Sequence, residues 1–318
     1  MRDVVFISPN TKFTYEVLPE VVGQRIDVFL ASRFPAYSRT YFQKLIKTSA
    51  VKANGVIIKS SYLLELGDIV EVVFPPAPDK KEIKNLIDDL GAKIIGEHPH
   101  FFIVYKPIGV SMHAGHRHDT SATLVDWLLE QFADLQDVGH EERPGIVHRL
   151  DKYTSGIVII PRNNYAHKVF SDKFRNREIE KTYIALTKGV PPAQGCIDFS
   201  IGHHPSHKKM MALAKGSPLG REAFTEYRVV QAFNNAALVE VKPKTGRTHQ
   251  IRVHFAALGF PLIGDVIYGE PSDIILHQAL HAYKLSFEYD GQRYVFEHNP
   301  PDDFIRAKDV LKKTATSS

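Results

Sequence analysis

His148-Arg149-Leu150-Asp151-Lys152-Tyr153-Thr154-Ser155-Gly156 sets one acid in a turn rich in cations, immediately ahead of the apolar strand Ile157-Val158-Ile159-Ile160. Neighbouring cations favour the ionised form of a carboxylate, and a turn ending in glycine can aim that carboxylate into a cleft rather than a core. On the residues alone, Asp151 reads equally as a nucleophile or general base in a cationic pocket and as a turn-forming or salt-bridged acid.

Further along, Lys244-Thr245-Gly246-Arg247-Thr248-His249-Gln250-Ile251-Arg252-Val253-His254 predicts a helix from Thr248, as N-cap, to Leu258, with Gly259 just past its end. His249 and Arg252, three apart, share one face of it, while Ile251, Phe255 and Leu258 line the apolar one. The pattern by itself is that of an amphipathic surface helix with a basic first turn. Strand-like segments recur at 101–105, 156–160, 182–186, 237–242, 283–289 and 294–298, the last two divided by Asp290-Gly291 as in an antiparallel hairpin. Helical patterns fall at 122–132 and 164–174. These strands do not alternate regularly with helices, so the expected class is α+β, with a mixed, largely antiparallel sheet. Tyr183 lies in the segment Glu180-Lys181-Thr182-Tyr183-Ile184-Ala185-Leu186, where the ordinary role of a tyrosine is half-buried packing.

The Pro-rich break Pro75-Pro76-Ala77-Pro78 and the charged run after it separate off a first segment. The expected division is a small domain over 13–76, a linker over 77–90, a large domain over 91–300 and a tail over 301–318, frayed from Lys312. In the small domain, helical spacing at 24–32 and 40–48 leads to an Asn54-Gly55 turn and a β-rich end at 56–58 and 69–74. Between Gln24 and Lys59, Arg25, Arg33, Arg39, Lys44, Lys47, Lys52 and Lys59 face one acid, Asp27. That imbalance suits a phosphate-binding face, and equally two helices with solvated cations.

With 318 residues, 43% of them hydrophobic, the chain can bury a full core. A net charge of +4 and a pI near 8.9 mean that affinity for nucleic acid has to come from clustered charge. The single cysteine, Cys196, excludes an internal disulfide and a multi-cysteine zinc site. A cytoplasmic location is expected, because no apolar run resembles a signal peptide or a membrane span. His113-x-x-His116-x-His118 and His203-His204-x-x-His207 lack the acid or cysteine partners of a metal site. Ser155 beside His148 and Asp151 offers hydrolase residue types without a G-x-S-x-G elbow. Neither a P-loop nor G-x-G-x-x-G occurs, so neither metal nor other cofactor is expected.

The first stretch resembles the HRLDxxTSG signature of the RluA family of pseudouridine synthases, whose acid is the catalytic aspartate. Gly246 to His254 is similar to that family's GRTHQIRxH motif, Lys181-Thr182-Tyr183-Ile184-Ala185 to its K-x-Y-x-A pattern, Leu280-His281-Ala282 to the motif supplying an apolar pocket floor, and Phe102 to Val110 to the strand that opens its catalytic domain. The resemblance covers about 91–300 and implies Asp151, Tyr183 and Arg252 as catalytic residues, with Arg252 ion-paired to Asp151. It further implies Arg149, His148, Arg247, His249 and Leu280 as substrate contacts. Arg25-Ile26-Asp27, Ser38-Arg39, Val51 to Gly55 and Leu66-Gly67-Asp68 resemble an S4-like RNA-binding domain, implying RNA contacts by Arg25, Arg39, Lys44, Lys47 and Lys52. The expected activity is isomerisation of uridine to pseudouridine in large-subunit ribosomal RNA by a monomer that flips its target. His204-Pro205-x-x-x-Lys209-Met210, followed by Ala223 to Tyr227, is similar to an insertion in the family's branch that modifies the large-subunit stem-loop facing the small subunit, but Gly220-Arg221-Glu222-Ala223 departs from that branch's Gly-Lys-x-Ala. A transfer-RNA synthase of the same family and a non-catalytic ribosome-assembly factor are the alternatives.

Overall fold

The computed structural model describes residues 11–34, 37, 39–74, 87, 90–113, 122–141, 143–203, 211–213 and 220–316. The Pro-rich break, the histidines at 116, 118, 204 and 207, and the motif residues Lys209 and Met210 lie outside them. The chain divides into two compact units, one of residues 1–87 with 114–122, the other of 88–113 with 123–318.

In the first unit, β1 (Lys12–Glu16), α1 (Ile26–Arg33), α2 (Arg39–Lys47), β2 (Val51–Ala53), β3 (Val56–Ile57) and β4 (Ile69–Val73) form a sheet in the order β1-β4-β2-β3 with two helices. Asn54 and Gly55 both have positive φ, 52° and 76°, the backbone a two-residue hairpin between β2 and β3 requires. Phe29, Leu30, Phe42, Ile46, Val70 and Val72 make the core. Each such side chain, fully buried, contributes about 1.5–3 kcal/mol.

Buried Asp27 changes the reading of the basic cluster. Its Oδ2 accepts from Arg39 Nε at 2.9 Å and Gln43 Nε2 at 2.6 Å, and its two oxygens accept from Arg25 Nε and Nη2 at 3.1 Å. Burial alone would raise the Asp27 pKa; the three partners outweigh it and hold the group at about 2. Arg39 is therefore committed to joining α2 to α1, and Arg25 to holding the start of α1 against Asp27 and the Ser60 carbonyl, structural duties beside the RNA contact expected of them. Lys44, Lys47 and Lys59 are exposed, and Lys52 is half-buried.

The second unit holds a nine-stranded sheet. In chain order its elements are β5 (Lys93–His98), β6 (Phe101–Lys106), α3 (Leu124–Gln131), the short pair β7 (Gly139–His140) and β8 (Arg143–Pro144), β9 (Ser155–Pro161), α4 (Asn164–Arg175), β10 (Glu180–Lys188) and β11 (Gln194–Asp198). There follow the small hairpin β12 (Ile201–His203) and β13 (Met211–Leu213), then β14 (Phe224–Ala232), β15 (Ala236–Pro243), α5 (Gln250–Ala257), β16 (Leu280–Tyr289), β17 (Gln292–Glu297) and α6 (Asp302–Thr316). The sheet runs β11-β14-β15-β10-β16-β9-β6-β5, with β17 also on β16. Every pairing in it is antiparallel except β16 with β9, as the α+β expectation had it. At that parallel pair Gly156 has φ 129°, and a Cβ there would stand 2.4 Å from the Ala282 carbonyl oxygen. Only glycine lets the two strands meet.

The expectation for the C-terminus needs correcting. Residues 302–316 are not a frayed tail but α6, because Phe304 and Ala307 are buried in a cluster with Leu186, Phe233 and Ala279. Among the described residues no helix is long and apolar enough to cross a membrane.

Candidate active site

A cavity of about 600 Å³ in the second unit is lined by all eight residues expected at the site there: His148, Arg149, Asp151, Tyr183, Arg247, His249, Arg252 and Leu280. Asp151 sits in the turn that leads into the fully buried strand β9, its side chain 18% exposed. Lys106, at the end of β6, supports that turn from beneath. Its Nζ donates to the carbonyls of Pro107, Val110 and Lys152 at 2.8, 2.9 and 3.3 Å. Burial lowers the ammonium to about 7, with the Asp151 charge opposing.

Arg252 approaches the acid from α5. Its Nη1 donates to Asp151 Oδ2 at 3.2 Å, while Nε and Nη2 grip both oxygens of Asp265 at 2.7 and 2.9 Å. Burial works against the Arg252 charge, but the bonds to Asp265 and the two carboxylate charges outweigh it and raise the pKa above the ordinary guanidinium value. Asp265 itself is fully buried and also accepts from the Ile267 and Tyr268 backbone amides at 3.0 and 3.2 Å. The sequence reading missed it, although the Gly264-Asp265 pair was the available signal. Gly264 has φ 74°, with carbonyl oxygens 2.3 and 2.7 Å from where a Cβ would lie.

The helix starts later than predicted. Thr248 is not the cap; His249 is, in a left-handed conformation with φ 56° and ψ 18°. The reason is Gln250, whose Oε1 accepts from the Arg247 amide at 3.0 Å and Thr245 Oγ1 at 2.6 Å, and whose Nε2 donates to the Phe224 carbonyl and Thr225 Oγ1. That buried amide, rather than a threonine hydroxyl, organises the turn. Nor is α5 a surface helix, since every residue from Gln250 to Phe255 is buried.

Tyr183 projects from β10, and burial, with the Asp151 charge adding, holds its hydroxyl above the ordinary phenol value. It stays neutral at physiological pH. Lys181, two residues earlier, is lowered to about 8 by burial and then by Arg177 and Arg247. Leu280 supplies an apolar wall, and Arg149 is exposed at the rim. Arg247 Nε donates to the Glu222 carbonyl at 2.9 Å.

His148 is fixed differently from the expected substrate contact. Its Nε2 accepts from the Ile159 amide at 2.8 Å and its ring stacks on Phe174 at 4.5 Å, so it caps a strand amide beside the cavity. Ser155 is no nucleophile either. It is fully buried, and its Oγ meets His281 Nδ1 at 2.8 Å, with His281 Nε2 held at 2.8 Å by the His298 carbonyl. Burial lowers His148 to about 3 and His281 to about 4, below the ordinary value near 6.5. Between those values and 6.5 the unfolded chain binds more protons than the folded one, so stability present at neutral pH is lost as pH falls through this window. At pH 5 the two histidines should together take up about two protons on unfolding. The dependence of the calorimetric unfolding enthalpy on buffer ionisation enthalpy measures that uptake; an enthalpy independent of buffer would contradict it.

An acid paired with a doubly anchored arginine, beside a neutral phenol and an apolar wall, suits chemistry on an uncharged base and its sugar. Residues 100–257 match the family model for RNA pseudouridylate synthase, and residues 24–70 match the S4 domain. An uncharacterized RNA pseudouridine synthase of Aquifex aeolicus is 39% identical over 296 residues, covering 88% of this chain and 92% of the relative. The chain belongs to the RluA family of RNA pseudouridine synthases. This synthase is also 32% identical to the ribosomal large subunit pseudouridine synthase D of Pseudomonas aeruginosa, over 94% of this chain and 95% of that one. Among solved structures, human RNA pseudouridylate synthase domain containing 1 superposes with a TM-score of 0.54 at 28% identity, covering 67% of the synthase and 84% of that chain. The synthase is therefore an isomerase that acts on uridine in RNA, with an S4 domain at its N-terminal side. Among its described residues no group of three or more His, Cys, Asp or Glu side chains is gathered as a metal site.

Proposed function

We propose that the synthase modifies uridines of large-subunit ribosomal RNA, with the target nucleotide flipped into the cavity and Asp151 acting on it. The observation that carries this reading is the placement of Asp151 in a cavity of about 600 Å³, with Arg252 bonded to one oxygen and Tyr183 beside it. Isomerisation breaks the bond from ribose C1′ to uracil N1, forms one from C1′ to C5, and moves a proton from C5 to N1. A carboxylate serves this either by bonding to C1′ or by removing the C2′ proton, and both routes use the negative charge beside which Arg252 stands. Tyr183 and Leu280 offer the flipped base an aromatic and an apolar face, and exposed Arg149 is suited to fill the vacated stack or to bind phosphate.

The ribosomal target is supported by relatives that match the synthase along nearly its whole length and bear that name. Mapping pseudouridine in ribosomal and transfer RNA from a strain lacking the gene tests it. Specific large-subunit sites should disappear and return on complementation; loss confined to transfer RNA would redirect the assignment.

The exposed lysines of the first unit are assigned to phosphate contact. A Lys47→Ala, Lys59→Ala double variant should keep the wild-type Tm and lower the slope of log affinity against log salt by roughly 1–2. Single-turnover rates at saturating RNA should not change. Arg39→Ala should instead lower Tm, since it strips a partner from buried Asp27. An unaltered salt slope in the lysine variant would place the phosphates elsewhere.

A further inference from the structure

Tyr268 touches three members of the site without lining the cavity itself. Its hydroxyl accepts from the Met211 amide at 2.7 Å and lies 2.8 Å from His249 Nδ1. Its ring lies under the Arg252 guanidinium, 5.1 Å from centroid to Cζ, and its own amide donates to Asp265. His249 Nε2, on the far side of the imidazole, faces Asp151 Oδ2 at 3.9 Å.

The donor count fixes the protons. A phenol has one hydrogen and accepts at its lone pairs, and a backbone amide can only donate. With Met211 donating to the oxygen, the phenolic hydrogen is left for His249 Nδ1, because among the described residues the hydroxyl has no other partner. The opposite assignment, with Nδ1 donating, would leave the phenolic hydrogen without a protein acceptor among the described residues. Nδ1 is then the acceptor, and the neutral imidazole carries its hydrogen on Nε2. Burial lowers the His249 pKa, with Arg252 and Arg149 acting in the same direction and Asp151 and Asp265 opposing, which is consistent with a neutral ring at pH 7.

We infer that Tyr268 is a positioning residue that selects the Nε2–H tautomer of His249, so that a hydrogen-bond donor is presented to the Asp151 carboxylate and to the cavity. The strained backbone supports this assignment. A non-glycine residue with φ 56° is held in place only where its surroundings over-determine it, and the Tyr268 bond is one such constraint. The β12–β13 hairpin enters through Met211, whose amide orients the phenol. The inference rests on the reading that Asp151 carries the chemistry.

The test joins a spectroscopic readout to a kinetic one. In full-length wild-type protein with ¹⁵N-labelled histidine, the His249 resonances, assigned by their loss in His249→Gln, should show a protonated Nε2 and an unprotonated Nδ1 at pH 7. Tyr268→Phe keeps the ring under Arg252 and removes only the hydroxyl. It should shift His249 toward a mixture of tautomers and slow single-turnover isomerisation by about tenfold, with RNA affinity within twofold of wild type. A protonated Nδ1 in the wild type would overturn the proposal even if the variant did not fold. An unchanged tautomer and rate in Tyr268→Phe would overturn it as well. The NMR result does not depend on turnover, so its failure is distinguishable from a failure of the Asp151 assignment, which Asp151→Asn tests by itself.

Discussion

Asp151→Asn is expected to abolish isomerisation, lowering the single-turnover rate by about four orders of magnitude or more. The amide is nearly isosteric but supplies neither the negative charge nor the nucleophilicity that both routes require. The fold should survive the change. Arg252 retains its two bonds to Asp265 when the Asp151 carboxylate is lost, so the buried guanidinium is never left without a counter-charge. Release of tritium from C5-labelled uridine in RNA measures turnover, and filter binding measures affinity. Wild-type tritium release from a pure, folded variant would sink the mechanism, whereas loss of RNA affinity in parallel would mean that the acid serves binding.

The second large effect is expected at Arg252, and there stability and activity should fall together. Arg252→Met leaves Asp265, which is fully buried, without its cation. Breaking a buried pair by removing one partner costs about 3–5 kcal/mol. Calorimetry should show a Tm roughly 10 °C lower. Activity should be lost as well, because Asp151 loses the donor on Oδ2. Adding Asp265→Asn to Arg252→Met should recover much of the stability and none of the activity. Arg252→Lys should be impaired too, since an ammonium cannot bridge two carboxylates with a planar fork. Wild-type rates in both single variants would remove Arg252 from the mechanism.

Local pattern drew attention to both stretches, an acid in a basic turn before an apolar strand and an arginine three residues from a histidine, but left their roles open. The resemblance of the two stretches to the family's motifs is what singled out Asp151 and Arg252. The residue that anchors one of them was not legible. Asp265 is only 13 positions from Arg252, and the Gly264-Asp265 pair marks a turn there, but a turn signal does not say which side chain the turn is brought against. Tyr268 was hidden for the same reason. The strand β14 was missed because two of its inward positions carry Thr225 and the half-apolar Tyr227, so the alternation does not read as hydrophobic. Thr225 is buried only because Gln250 and His254 satisfy its hydroxyl. The early start assigned to α5 failed on Gln250, whose bonding to residues 225 and 245 no helical pattern can express. Conversely the hairpin at Asp290-Gly291 was readable, since both residues adopt the positive φ, 49° and 75°, that such a dipeptide favours.

The position of β16 governs when the protein becomes an enzyme during its own synthesis. This strand, one of the last in the chain, lies between β10 and β9 and so joins the half of the sheet that carries Tyr183 to the half that leads from Asp151. Until residues 280–289 have left the ribosome, the two halves have no shared strand, and Asp151 awaits an arginine 101 positions downstream. Contacts of that sequence separation form slowly, because the entropy of closing the loop is lost before the contact is gained. A nascent chain is therefore expected to stay catalytically silent until residues 280–289 have emerged. A ribosome-stalled series in which a C-terminal linker of increasing length carries residues 280–289 clear of the ribosome should switch from inactive to active as this one strand emerges.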